Sequence, residues 1–145
     1  MTYLILEAFK ITLFIPVVSY ASYQDYKTTD VPNWCAYALL GIGLIHCSWS
    51  SLITGAVVFA VFFVIAMFTE LGGADVKIAS ASAFVLGMPY ALIGLTIGLA
   101  LSLIKDIIVF IFIYKFKNKP KKLYPLIPFL GIGMFIAIIL ERIIL

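Results

Sequence analysis

The stretch LITGAVVFAVFFVIAMFT, Leu52 to Thr69, contains neither a charged residue nor a proline. As a helix, about 18 apolar residues cover most of the roughly 30 Å hydrocarbon core of a bilayer, so this stretch reads as a transmembrane helix. Similar apolar stretches recur on both sides of it, from Tyr3 to Tyr23, Trp34 to Cys47, Val76 to Leu86, Tyr90 to Phe116 and Ile127 to Leu140. With 64% hydrophobic and 12% charged residues, little chain is left over for a water-soluble domain. The expectation is an all-α integral membrane protein of about six transmembrane helices, with residues 1–145 forming a single polytopic domain. Val76–Leu86 is too short to span comfortably and reads as a short helix shielded by its neighbours. Tyr90–Phe116, with Lys105 and Asp106 inside it, is long enough to tilt, kink or break.

A net charge of +3 would suit an acidic partner such as a nucleic acid, but half of the ten basic residues fall in one segment, Lys115, Lys117, Lys119, Lys121 and Lys122. That cluster reads as a topology signal marking the cytoplasmic side. Six spans then place the loops after the first and third helices on the same side, and those loops hold Asp25 and Asp75. The first apolar stretch carries Glu7 and Lys10 but no basic leader and no small-residue cleavage site, so it reads as a mature helix. Cys35 and Cys47 show no CxxC pattern and no histidine at a ligand spacing, which argues against a zinc site or a disulfide framework and leaves them as packing residues. Trp34 and Trp49 bracket the second span as interfacial belt residues. His46 stands near the outer end of that span, alone and away from the acidic motifs.

Four of the seven acidic residues, Asp25, Asp30, Glu70 and Asp75, fall near the cytoplasmic ends of the first four spans. An ionisable group at membrane depth is a functional candidate because burying it is costly without a partner or water. Each of these acids taken alone can equally be a solvated group at the membrane boundary. Asp75 stands apart because of its setting, Leu71-Gly72-Gly73-Ala74-Asp75-Val76-Lys77. The glycine pair relaxes the backbone and removes bulk, so the chain can turn into a new helix and let a substrate main chain approach the carboxylate, although a plain interhelical turn has the same composition.

The first acidic segment is Ser19-Tyr20-Ala21-Ser22-Tyr23-Gln24-Asp25-Tyr26-Lys27-Thr28-Thr29-Asp30-Val31-Pro32-Asn33. An Asp followed by a basic residue and then Val-Pro-Asn resembles the first catalytic motif of the prepilin peptidase family. Gly72-Gly73-Ala74-Asp75-Val76-Lys77 is similar to that family's GxGD motif and its following lysine. Pro125-Leu126-Ile127-Pro128-Phe129-Leu130-Gly131-Ile132-Gly133 is similar to the stretch that opens its final helix. The matches run in order along nearly the whole chain. Two departures stand out: Ala74 replaces the second glycine of GxGD, and the cysteine-bearing cytoplasmic domain of the long bacterial enzymes has no counterpart. The latter aligns the chain with the short archaeal peptidases for archaellins and pilins or the compact bacterial ones, and speaks against an N-methyltransferase activity.

The resemblance implies an intramembrane aspartyl endopeptidase that removes basic leaders from prepilin-like or prearchaellin-like membrane proteins at the cytoplasmic face of the cell membrane. Asp25 and Asp75 would be catalytic, with Gly72, Gly73, Ala74, Lys77, Lys27, Asp30, Glu70, Pro32 and Asn33 shaping the site or contacting substrate. Peptide hydrolysis by two carboxylates needs one ionised, to take a proton from water, and one protonated, to polarise the scissile carbonyl. Such chemistry calls for no metal, cofactor or covalent nucleophile. Helix dipoles favour an ionised Asp75, at the start of the fourth helix, and a protonated Asp25, at the end of the first. Lys27 and Lys77 each follow a candidate aspartate by two residues and read either as snorkelling anchors or as groups tuning the site. Lys105 and Asp106 read as a mutually neutralising pair or as a bridge to a neighbouring helix. Asp30 and Glu70 are placed to attract a basic leader. Two other readings compete: a signal-peptide-peptidase type of GxGD protease, and a small proton- or ion-coupled transporter using the two aspartates as cation sites.

Overall fold

The computed structural model describes residues 2–28, 30–69, 72–116 and 125–144. Six helices occur among them: α1 (Thr2–Thr28), α2 (Asn33–Ile45), α3 (Trp49–Phe68), α4 (Gly73–Leu86), α5 (Tyr90–Phe116) and α6 (Ile127–Ile144). No strand occurs among the described residues. Three segments are long and apolar enough to cross a membrane, Ile5–Thr28, Trp49–Phe68 and Tyr90–Ile111, while α2 and the Ile127–Glu141 part of α6 are shorter apolar helices. The 13 residues of α2 reach only about 20 Å, less than the hydrocarbon thickness. Large apolar side chains are exposed along α3 (Val57, Phe59, Val61, Phe63) and α5 (Leu103, Ile104, Ile107, Ile108), which suits a surface bathed in lipid.

The short fourth helix lies at the centre. It packs against α2, α3, α5 and α6 and buries Val76, Ile78, Ala79, Ala81, Ser82, Ala83, Phe84 and Val85. Burial on every side explains why its apolar pattern shows no helical periodicity in the sequence. It ends at Gly87, whose N–H donates to the Ala83 carbonyl at 2.9 Å and whose φ of 69° is a left-handed conformation that glycine adopts without strain. Around it, α1 packs against α2 and α6, and α6 runs along α5.

The α5–α6 contact depends on missing side chains. A Cβ on Gly133 would collide with the Gly94 carbonyl oxygen and lie 2.8 Å from Gly98 Cα, and one on Gly98 would lie 2.8 Å from Leu130 Cα. Gly94 and Gly98 are four residues apart in sequence and so share one face of α5, the small-residue spacing that lets helices touch backbone to backbone in a membrane. α5 runs unbroken through Lys105 and Asp106. Their charges meet at 3.0 Å, and the Lys105 ammonium sits 5.1 Å from the centre of the Phe129 ring on α6. The lysine cluster from Lys117 to Lys122 lies outside the described residues, as does Glu70.

Candidate active site

Asp25 is not in a loop, as its polar neighbours suggested, but on α1, which continues to Thr28. Its side chain is buried. The reason lies far along the chain. α6 begins after Pro125 and Leu126, neither of which can cap a helix with a side-chain acceptor, so its first N–H groups need an acceptor from elsewhere. The Asp25 carboxylate supplies one: Ile127 N–H donates to Oδ2 at 3.0 Å, and the Leu126 N–H also hydrogen-bonds to it. Pro128, in the first turn of α6, has no N–H to satisfy there and fits the turn for that reason. Lys105 of α5 acts on Asp25 electrostatically as well. One side chain thus ties α1 to the start of α6.

Asp75 stands in the first turn of α4, outside the three helices long enough to cross a membrane. The chain enters the helix at Gly72, whose carbonyl accepts the Asp75 N–H at 3.0 Å. The Asp75 carboxylate folds back over Gly72, and a Cβ on that glycine would come within 3.1 Å of Oδ2. Gly73 is exposed, and a Cβ there would meet nothing within 4 Å. Its smallness therefore serves no contact among the described residues. Ala74 lies inside the helix with ordinary helical geometry, so the position where the family's motif carries glycine needs no left-handed backbone here.

The two aspartates sense each other. Burial first, and the Asp25 carboxylate second, push the Asp75 pKa up to about 6, while the Gly72 backbone N–H pulls it down. At Asp75 this shift runs against the helix-dipole expectation. The α4 N-terminus does favour an anion at Asp75, but the effect is about 0.3–1 kcal/mol in exposed settings and is outweighed by desolvation and a like charge. At Asp25 the dipole expectation considered only α1, whereas the N–H groups of α6 converge on this carboxylate from the other side.

The other expected site residues divide into two groups. Asn33 and Lys77, one from each acidic motif, meet directly: Lys77 Nζ donates to Asn33 Oδ1 at 3.0 Å, joining the start of α2 to α4. Pro32 caps the N-terminus of α2 in an extended conformation, and its carbonyl accepts the Cys35 N–H at 3.1 Å. Val31 beside it is buried. Lys27 and Asp30 are exposed: the Lys27 ammonium lies 5.8 Å from the Tyr23 ring centre, and the Asp30 carbonyl accepts from Thr28 Oγ1 at 2.9 Å. Glu70 cannot be placed with them, since it falls outside the described residues.

Away from the two motifs, the Glu7 carboxylate lies 3.2 Å from His46 Nδ1 and 3.9 Å from Lys10 Nζ. His46, expected to stand alone, has a carboxylate neighbour, and Lys10 is buried. These groups line a polar cavity of about 570 Å³ together with Glu141 and the Ser48–Ser51 turn.

Sequence reasoning missed both ties at the aspartates, the α6 N-terminus on Asp25 and the Lys77–Asn33 hydrogen bond. The first had a readable signal, a helix start with no capping residue of its own. No curated protein and no solved structure matches the chain. The family model for the type IV leader peptidase family matches residues 12–141, taking in both aspartates, the Lys77–Asn33 pair and the α6 start. The chain therefore belongs to the type IV leader peptidase family, whose members are aspartic-type leader peptidases.

Proposed function

We propose that this protein is an intramembrane aspartyl endopeptidase in which Asp25 and Asp75 hydrolyse the bond between a basic leader and the apolar helix of a prepilin-like or prearchaellin-like substrate. The observation that supports this reading is the family match across both acidic motifs, with Asp25 buried against the start of α6 and Asp75 partly buried in the first turn of α4. Asp75, whose pKa is raised to about 6, is assigned the proton, and Asp25, which accepts from the α6 N–H groups, is assigned the role of base. Water between them gives a proton to Asp25 and attacks the scissile carbonyl. Asp75 hydrogen-bonds the carbonyl oxygen and stabilises the tetrahedral intermediate. The proton on Asp25 then passes to the leaving amine as the C–N bond breaks.

The remaining motif residues have supporting roles. Gly72 and Gly73 leave room for the substrate main chain, and Ala74 keeps the approach narrow. Pro32, Asn33 and Lys77 hold α2 against α4, so that the two motifs keep their spacing. Lys27 is a snorkelling anchor at the membrane boundary. Asp30 and Glu70 attract the basic leader. The whole chain forms one multi-pass domain of the cell membrane, with the shorter α2, α4 and α6 packed among the three longer helices. The lysine-rich segment after α5 puts the site on the cytoplasmic side.

The test is cleavage in detergent by the purified protein of a prepilin-like substrate with a lysine-bearing leader. The expected product is the apolar helix with a new N-terminus at the leader boundary. No cleavage of any leader-bearing substrate by the folded protein would sink the reading.

A further inference from the structure

A groove of about 540 Å³ runs between α2, α3 and α4. Each helix contributes one face to it. On α4 the lining positions are Lys77, Ser80, Ala81 and Phe84, and on α3 they are Leu52, Gly55, Ala56 and Phe59, both at the three- and four-residue spacing of a helical stripe. On α2 the stripe starts at Asn33 and ends at Leu44, eleven residues on and about 17 Å away. That length is roughly half the hydrocarbon thickness.

The groove is graded along and across. Its polar end is the Lys77–Asn33 pair, and Lys77 follows Asp75 by two residues in the first turns of α4. Everywhere else the lining is apolar, apart from Ser80. Small residues come from all three helices, Ala36, Gly55, Ala56 and Ala81, while exposed Tyr37, Leu40 and Phe59 stand along the sides. Phe84 closes the base by packing against Gly43 and Gly55, where a Cβ would collide with it.

We propose that this groove is the docking site for the apolar helix of the substrate, the segment that follows the leader. The inference rests on the leader-peptidase reading and adds to it where the uncleaved remainder of the substrate lies. Three observations favour a helix as the occupant. Small residues between bulky neighbours let a second helix approach closely, and that is the chief source of helix association in lipid. The polar end of the trough lies within one turn of Asp75 along α4, so a chain leaving the site has only that turn to pass before it reaches the groove. The Lys77 ammonium carries three donors and gives one to Asn33, leaving others for the carbonyl groups of the main chain that must unwind before it can be cut. A lipid acyl chain would gain from the apolar lining but has no use for the small-residue floor or the donors.

The test compares two substitutions on α3. Ala56→Trp fills the groove from an exposed position, and Val57→Trp places the same bulk on a neighbouring exposed position outside it. With a full-length membrane substrate in detergent, Ala56→Trp should raise KM at least tenfold with kcat within twofold, and Val57→Trp should change neither. An unchanged KM in Ala56→Trp, or an equal rise in both, would overturn the proposal. Should Ala56→Trp fail to fold, a diazirine analogue of leucine at Leu40 in the otherwise wild-type protein decides the matter. Light-driven adducts on the substrate's apolar segment support docking, and adducts on lipid alone at saturating substrate refute it. Failure of the wild-type protein to cleave any leader would instead fall on the function proposed above, and the same cross-link would still report whether the groove takes a helix.

Discussion

Replacing Asp25 in two ways should separate its chemistry from its structural hold on α6. In Asp25→Ala the N–H groups of Leu126 and Ile127 lose their acceptor in a buried setting. A buried donor left unsatisfied costs about 1–3 kcal/mol, so the two together should cost roughly 2–6 kcal/mol, less whatever water can enter. Asp25→Asn keeps an acceptor oxygen in nearly the same place. It loses only the extra strength of a charged acceptor, about 1 kcal/mol per bond, since bonds to charged groups are worth about 1.5–3 kcal/mol against about 0.5–1.5 for neutral ones. Both variants lose the proton acceptor and should cleave at least a hundredfold more slowly, the lower end of what a general base contributes. Thermal unfolding in detergent, followed alongside leader cleavage, should therefore rank stability as wild type, then Asn, then Ala, with both variants inactive. Equal stability of the Ala and Asn variants would refute the claim that Asp25 anchors α6. Cleavage by well-folded Asp25→Asn within tenfold of wild type would remove it from the dyad.

Two further outcomes follow from the same geometry. Because the Asp25 charge helps to raise the Asp75 pKa, Asp25→Asn should lower that pKa from about 6 toward, but not as far as, the ordinary 3.8, since burial remains; site-resolved carboxyl infrared spectroscopy across pH 3–8 reads it, and an unchanged value would mean that the two carboxylates do not interact. Charge reversal at both Asp30 and Glu70 should weaken binding of a lysine-bearing leader and flatten its salt dependence, leaving kcat within a few fold; unchanged KM at low and high salt would end the idea that these acids attract the leader.

How far the sequence disclosed this arrangement depends on the range of the interaction concerned. Hydropathy located all six helices, because a bilayer demands long apolar runs whatever they pack against. It was less informative at helix ends. Gln24, Asp25 and Lys27 looked like loop residues by polarity, yet α1 runs through them, since Gln and Lys are good helix formers and Asp25 finds its partners on α6. Lys105 looked like a possible break in α5, but its charge is met by Asp106 and the Phe129 ring. Length marked α4 as too short to span and sheltered by its neighbours, and four helices do cover it; α2, which is also short, was not marked. The site followed the same division. Local composition set Asp75 apart and motif resemblance named Asp25, both as candidates, but the shift at Asp75 depends on burial and on a carboxylate from another helix, which local sequence does not carry. The Lys77–Asn33 bond, between residues 44 apart, was invisible for the same reason.

The hydrogen bond from Ile127 to Asp25 also bears on when during biogenesis the protein can become active. Asp25 enters the membrane with α1, but the backbone donor that holds it belongs to a residue 102 positions later. At a synthesis rate of about 5–20 residues per second, roughly 5–20 s pass before that residue is made. Throughout this interval the first carboxylate lacks its support and, until α4 has followed, its partner. The proposed dyad is therefore complete only once α6 has been made, because its first carboxylate is held by a backbone donor from that helix.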